Sequence, residues 1–199
     1  APPKRNKMNY NDKMKEKIAS CNGEKKKLVL QSCCAPWSSA VIERLLPHFN
    51  ITVLYYNPNI MPEEEYEKRK NEQIRFLQKM NIPMLNIDYS HQDYLNAIKG
   101  KENLGEHSPR CYECYKLRLS KTALLAKENE FDLFCTTLSV SPYKNATWIN
   151  EIMQNLSKQF EVDYLPSDFK KENGYLRSLQ LSKENNFYRQ TYCGCKFDN

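Results

Sequence analysis

The stretch LVLQSCCAPWSSAVIERLLPHFNITVLYY, residues 28–56, decides the reading of the fold. Leu28–Gln31 and Ile51–Tyr56 are short, mostly apolar runs of strand length, rich in branched and aromatic residues. Between them, Ser38–Phe49 places Val41, Ile42, Leu45 and Leu46 on one helical face, with Ser38 as the expected N-cap. Strand, helix and strand in that order make a right-handed crossover, so the two strands run parallel and the helix covers them. In open sheets of this kind the binding crevice lies beyond the carboxyl ends of the strands. The dipeptide Cys33-Cys34 falls at that place, directly after the first strand.

The same alternation continues outward. Pro83–Ile87 and Phe131–Thr136 read as further strands, and Val162–Leu165 as a weaker fifth. The clearest helix follows Pro62: Glu63, Glu64 and Glu65 fill a first turn where the macrodipole favours acids, and Ile74, Phe76, Leu77 and Met80 form its apolar side. Gln92–Lys99, Ser108–Asn129, Asn145–Gln159 and Tyr175–Asn185 complete the helical set. The expected class is therefore α/β, a mostly parallel sheet with helices on both faces. A boundary near Lys27 divides a basic, flexible N-terminal arm, residues 1–26, from a single α/β metal-binding catalytic domain, residues 27–199.

Composition removes several function classes. No apolar run approaches the roughly 20 residues of a membrane span. Only 5 of 199 residues are Gly, and neither GxGxxG nor GxxxxGK[ST] occurs, which excludes the usual nucleotide loops of dehydrogenases and kinases. No apolar leader follows the opening Ala-Pro-Pro, so a cytoplasmic location is expected. The net charge of +6 sits entirely in residues 1–27, and the remainder balances to zero. A polyanion is thus expected to meet the arm if it is attracted by charge at all.

Eight cysteines are the strongest signal: Cys21, Cys33, Cys34, Cys111, Cys114, Cys135, Cys193 and Cys195. Six form three close pairs. Cys111 and Cys114, in RCYECYK, lie one helical turn apart on one face, and Cys193 and Cys195 flank Gly194, which permits a tight turn. Soft thiolates suit both Zn²⁺ and an iron–sulfur cluster, and the spacing does not separate the two. Zinc knuckles use short intervening loops, whereas about 80 residues part each pair here, as expected where a folded scaffold positions the ligands. A thiol redox centre is the remaining alternative. Cys135 reads as a core residue and Cys21 as a bystander.

Two further stretches carry polar chemistry. TTLSVSPYKN, residues 136–145, offers hydroxyls, backbone amides and Lys144 before a helix, either an anion site or a simple capped turn. Arg177, Tyr188, Arg189 and Tyr192 interleave the side chains used for phosphate contacts and base stacking, or else form ordinary helix surface.

Taken together, SCCAPWSSAVIERL (32–45), YYNPNI (55–60), PEEEYEKRK (62–70), RCYECYKLRL (110–119), TTLSVSPYKN and YRQTYCGCKF (188–197) resemble the QueH-type epoxyqueuosine reductases, from about residue 27 to the C-terminus. The resemblance implies a fold similar to the adenine-nucleotide α-hydrolase or PP-loop (HUP) type. It implies an oxidoreductase that converts epoxyqueuosine in the tRNA anticodon to queuosine without cobalamin. SCCAPWSS stands where PP-loop enzymes carry their phosphate loop, so ATP use is not expected. It further implies a [4Fe–4S] cluster on Cys33, Cys34, Cys111 and Cys114, with a mononuclear iron on Cys193 and Cys195. Where this chain has Trp37 the family usually has Cys or Asp, and indole cannot coordinate in its place. The second iron is then held by fewer protein ligands and solvent, or it is lost and activity with it, or Trp37 is a divergent or altered residue.

No flavin or NAD site is expected, so electrons come from a separate donor such as ferredoxin or flavodoxin. Ser139, Ser141, Lys144, Asn145, Arg177 and Arg189 are expected on substrate oxygens and the anticodon backbone, and Tyr143, Tyr188 and Tyr192 under loop bases. Two other classes compete: a PP-loop-like tRNA thiolation enzyme whose cluster carries sulfur, and a non-catalytic zinc protein that binds tRNA.

Overall fold

The computed structural model describes residues 8–195. Among these, β1 (Lys26–Gln31) is the central strand, flanked by β2 (Phe49–Leu54) and β4 (Leu133–Thr136), with the two-residue strands β3 (Met84–Leu85) and β5 (Asp163–Tyr164) at the edges. The order is β3-β2-β1-β4-β5, and every pair is parallel. Leu28 lies level with Ile51 on one side and Leu133 on the other, so alternate residues of the three central strands point to opposite faces.

Each face has its own core. Leu28, Leu30, Ile51, Val53, Leu133 and Cys135 pack beneath α1 (Tyr10–Ser20), α2 (Ala35–Leu45) and α3 (Glu63–Met80), through Met14, Val41, Ile42, Phe76 and Leu77. Val29, Leu54 and Phe134 pack beneath α5 (Pro109–Glu128) and α6 (Ala146–Phe160), through Leu119, Ala123, Ile149 and Met153. The short α4 (His91–Ala97) lies against α5, and α7 (Gly174–Glu184) against α2. Fully burying each such aliphatic side chain stabilises the fold by about 1.5–3 kcal/mol. The expected class, a parallel sheet covered on both faces, is what forms. No helix among the described residues is long and apolar enough to cross a membrane.

The boundaries around α2 differ most from the sequence reading. Helix α2 starts at Ala35 rather than Ser38, because Pro36 in the first turn presets the helical φ; Ser38 Oγ donates to Ala35 O instead of capping. The helix ends at Leu45, and Phe49 opens β2. The segment read as an arm also contains regular structure. Residues 1–7 lie outside the described residues, but Tyr10–Ser20 is helical, with Asn9 Oδ1 accepting from the Asp12 N–H at 3.1 Å. Met14 is 2% exposed and Ile18 packs beside it, an i, i+4 apolar pair hidden in sequence among lysines. Asn11 ties the helix down, donating to Glu172 at 3.2 Å and accepting from Arg44 at 2.9 Å.

Candidate metal and substrate site

The carboxyl ends of the central strands are locked together by side chains. Gln31 Nε2 donates to Tyr56 O at 3.2 Å and to Asn57 Oδ1 at 3.1 Å, and Thr136 Oγ1 donates to Gln31 Oε1 at 2.8 Å. Ser32 and Ser38 both donate to Gln73 Oε1 from α3, at 2.5 and 3.0 Å. This buried network fixes the turn that carries Cys33 and leaves Cys34 at the N-cap of α2. Opposite it, α5 opens on Ser108, whose Oγ accepts from the Arg110 N–H at 3.3 Å, and presents Cys111 and Cys114 in its first turns. Arg118 follows one turn after Cys114 on the same face.

Two adjoining cavities result. A small one of about 20 Å³ is lined by Cys111, Cys114, Cys193 and Cys195, together with Arg118 and Lys144. A larger one of about 550 Å³ is lined by Cys33, Trp37, Tyr143, Arg189, Tyr192 and, again, Cys193, Arg118 and Lys144. Cys193 and the two cations thus stand at the junction. No disulfide joins the described cysteines.

The cations are the unusual part. Lys144 is 9% exposed; its Nζ donates to Cys193 Sγ at 3.4 Å and lies 5.7 Å from the Trp37 ring centre and 5.6 Å from that of Tyr115. Arg118 is 1% exposed, with a single long bond from Nη1 to Asn57 Oδ1 at 3.4 Å, while Nε and Nη2 are buried without an acceptor. Burial disfavours the Lys144 ammonium, but the neighbouring Cys193 and Tyr115 outweigh that and hold it charged. Burial likewise opposes ionisation of Cys33, yet Cys34, Arg118 and Lys144 draw its thiol below the usual range. Cys34 moves the other way, raised by burial and by Cys33. Burial pushes Cys114 up to about 11.

Among the described residues no three His, Cys, Asp or Glu side chains converge closely enough to hold a metal ion. The chemistry of the lining still fits one. The donors are soft thiols, and Arg118 Nε and Nη2 point at no acceptor, so an anionic thiolate-held group in the cavities would complete an otherwise costly buried cation.

The residues singled out in the sequence divide clearly. Five of the six paired cysteines line these cavities, and Cys34, next to Cys33 in the chain, stands at the N-cap position of α2. Ser141, Tyr143, Lys144, Arg189 and Tyr192 line the larger cavity. Asn145 caps α6, accepting from the Trp148 N–H at 3.1 Å, beside a third cavity that shares the Tyr143–Lys144 wall. Three are engaged elsewhere. Ser139 is fully buried, its Oγ accepting from the Phe169 N–H at 2.9 Å. Arg177 pairs with Glu43 through Nε and Nη2 at 2.8 and 2.7 Å, on the α2–α7 face. Tyr188 donates its hydroxyl to Glu65 at 2.8 Å, and Lys68 Nζ sits 3.8 Å from its ring centre. Cys135 is fully buried in β4 and donates to Leu165 O, a core thiol as expected. Sequence reading missed Arg118, although its place four residues after Cys114 in RCYECYKLRL was the available signal, and missed His107, whose ring centre lies 6.4 Å from that of Tyr143 at a tilt of 34°.

Known proteins resemble this chain in sequence and in fold. The family model described as epoxyqueuosine reductase QueH matches residues 28–199. The epoxyqueuosine reductase QueH of Streptococcus pyogenes serotype M1 is 37% identical over 199 residues, covering 96% of this chain and 78% of the relative. That of Acinetobacter baylyi is 40% identical over 173 residues, 86% of this chain and 79% of the relative. Among solved structures, the U34-tRNA thiolase NcsA from Methanococcus maripaludis with its [4Fe-4S] cluster aligns with a TM-score of 0.56 at 13% identity, over 94% of this chain and 66% of its own, a likeness of fold alone. On the family match and the two relatives, the chain belongs to the epoxyqueuosine reductase QueH family.

Proposed function

We propose that this chain is an oxidoreductase of tRNA that reduces epoxyqueuosine in the anticodon to queuosine. The observation that carries the reading is the crevice itself: five thiols and two buried cations around adjoining cavities, in a chain of the QueH family. Deoxygenation breaks both C–O bonds of the epoxide, leaves an alkene and releases water. It consumes two electrons and two protons.

Cys33, Cys34, Cys111 and Cys114 would hold the [4Fe–4S] cluster, and Cys193 and Cys195 a second iron. Such a group supplies single electrons and Lewis acidity when bound. Arg118 and Lys144 face the space where the epoxide oxygen gains negative charge, and being already oriented and shielded from water they stabilise that charge strongly. Trp37 lines the larger cavity and would keep water from the reacting carbon atoms. Tyr143, 71% exposed and tilted toward the His107 ring, would be the platform for an adjacent anticodon base, and Arg189 would meet a phosphate. Electrons come from an external donor, ferredoxin or flavodoxin.

The chain is purified without oxygen and reconstituted with iron and sulfide, and its visible spectrum and iron content are recorded before and after dithionite. A brown protein that bleaches on reduction is expected, and Cys111→Ser should lose iron and sulfide. A colourless, zinc-loaded protein contradicts the reading, and ATP-dependent sulfur insertion would favour the tRNA thiolation enzyme instead.

A further inference from the structure

Residues 188–195 form no helix or strand, yet they deliver two of the six paired thiols. What holds them is α3. Arg69, 2% exposed, donates from Nη1 to Cys193 O at 2.8 Å and from Nη2 to Tyr192 O at 3.0 Å, while Nε donates to Glu65 Oε1 at 2.9 Å. Glu65 neutralises the guanidinium and also accepts the Tyr188 hydroxyl at 2.8 Å. Just before α3, the Met61 N–H donates to Gly194 O at 2.8 Å, and the Tyr192 hydroxyl donates to Met61 O at 2.6 Å. Gly194 has φ +133°, and a Cβ there would stand 2.8 Å from Ile60 Cγ1 and 3.3 Å from Arg69 Nη1. The approach is one that only glycine permits.

We propose that Arg69 is the positioning residue for the C-terminal thiol pair: its fork grips the successive carbonyls of Tyr192 and Cys193 and thereby sets Cys193 and Cys195 opposite Cys111 and Cys114. Only a planar guanidinium spans two neighbouring carbonyls and a carboxylate at once; an ammonium is a point donor. From the other side Lys144 Nζ bonds the Cys193 sulfur, so the residue is held by main chain and side chain independently. A segment without regular structure can in this way present ligands in a fixed geometry. The inference rests on reading Cys193 and Cys195 as thiols of the metal site, but its test needs no reductase activity, so the two readings fail separately.

The full-length chain, purified without oxygen, is labelled with iodoacetamide and read cysteine by cysteine by mass spectrometry. Cys135, fully buried in the sheet, reports global opening. In Arg69→Gln, labelling of Cys193 and Cys195 should rise by about tenfold or more while Cys135 stays within about twofold, the mark of a local opening. Arg69→Lys should recover part of the protection. Gly194→Ala, which must displace Ile60 or Arg69, should reproduce the selective exposure while the guanidinium itself is retained. Unchanged labelling of Cys193 and Cys195, or an equal rise at Cys135, overturns the proposal.

Discussion

Arg118→Met is expected to act in opposite directions on the metal-free and the metal-loaded protein. In the metal-free chain the guanidinium is 1% exposed, and two of its nitrogens find no acceptor. Its one bond, to Asn57 Oδ1, can be lost without orphaning that oxygen, because Gln31 Nε2 also donates to it at 3.1 Å. A Met side chain keeps the apolar contact with the Tyr115 ring, whose centre lies 5.7 Å from the guanidinium. Cys33 loses one of the groups that draw its thiol down, so its anionic form is favoured less once the guanidinium is gone. Replacing a poorly compensated buried charge by a well-packed apolar side chain stabilises by about 1–4 kcal/mol, so urea unfolding in the presence of a chelator should show a gain of that order. With iron and sulfide bound, the same substitution removes the countercharge of an anionic group. Breaking a buried pair from one side costs about 3–5 kcal/mol, at least a hundredfold in affinity, read as faster iron loss to a competing chelator. A metal-free variant destabilised by more than about 1 kcal/mol, or iron retention equal to the wild type, would refute the reasoning.

Three further outcomes are expected. Met14→Ala should cost about 2–4 kcal/mol in urea unfolding, since Met14 is 2% exposed on the core-facing side of α1; no loss would mean that the helix does not dock on the sheet. Tyr143→Ala should raise KM for an anticodon stem-loop by about tenfold, as stacking of one base is worth about 1–3 kcal/mol, with kcat nearly unchanged; an unaltered KM removes Tyr143 from the substrate path. The Glu72 carboxyl is held below its usual range by Arg75, against partial burial, and by the Tyr188 N–H. Its contribution is therefore complete above the unfolded carboxylate value of about 4.3 and is lost as pH falls through the lower folded value. Glu72→Gln should flatten the acid limb of stability against pH, and an identical limb in both proteins would contradict the assignment.

The parallel sheet was legible because the central strands are short, apolar and separated by helices of clear period. The edge strands were less so: β3 and β5 are two residues each, and little pattern survives at that length. Helix α1 was hidden because Met14 and Ile18 are its main apolar anchors among Lys13, Lys15 and Lys17, so its docking shows only against the sheet. Of the site, the cysteine pairs stood out by spacing, and the loop at Ser141–Lys144 by its place after a strand. Ser139, Arg177 and Tyr188 lay close in sequence to those motifs but were claimed by Phe169, Glu43 and Glu65, partners 30, 134 and 123 residues away. Arg69 left no local trace at all. Its acceptors are main-chain carbonyls 123 and 124 residues distant, and a backbone acceptor has no residue type to recognise.

Mass spectrometry of the nucleosides released from epoxyqueuosine-containing tRNA, after anaerobic incubation with the iron-reconstituted chain and a low-potential reductant, tests the central claim most directly. Epoxyqueuosine should give way to queuosine, lighter by one oxygen atom, only when reductant is present and independently of ATP. Persistence of epoxyqueuosine with a fully iron-loaded, reduced protein, or the appearance of sulfur in the tRNA when ATP is added, would contradict it.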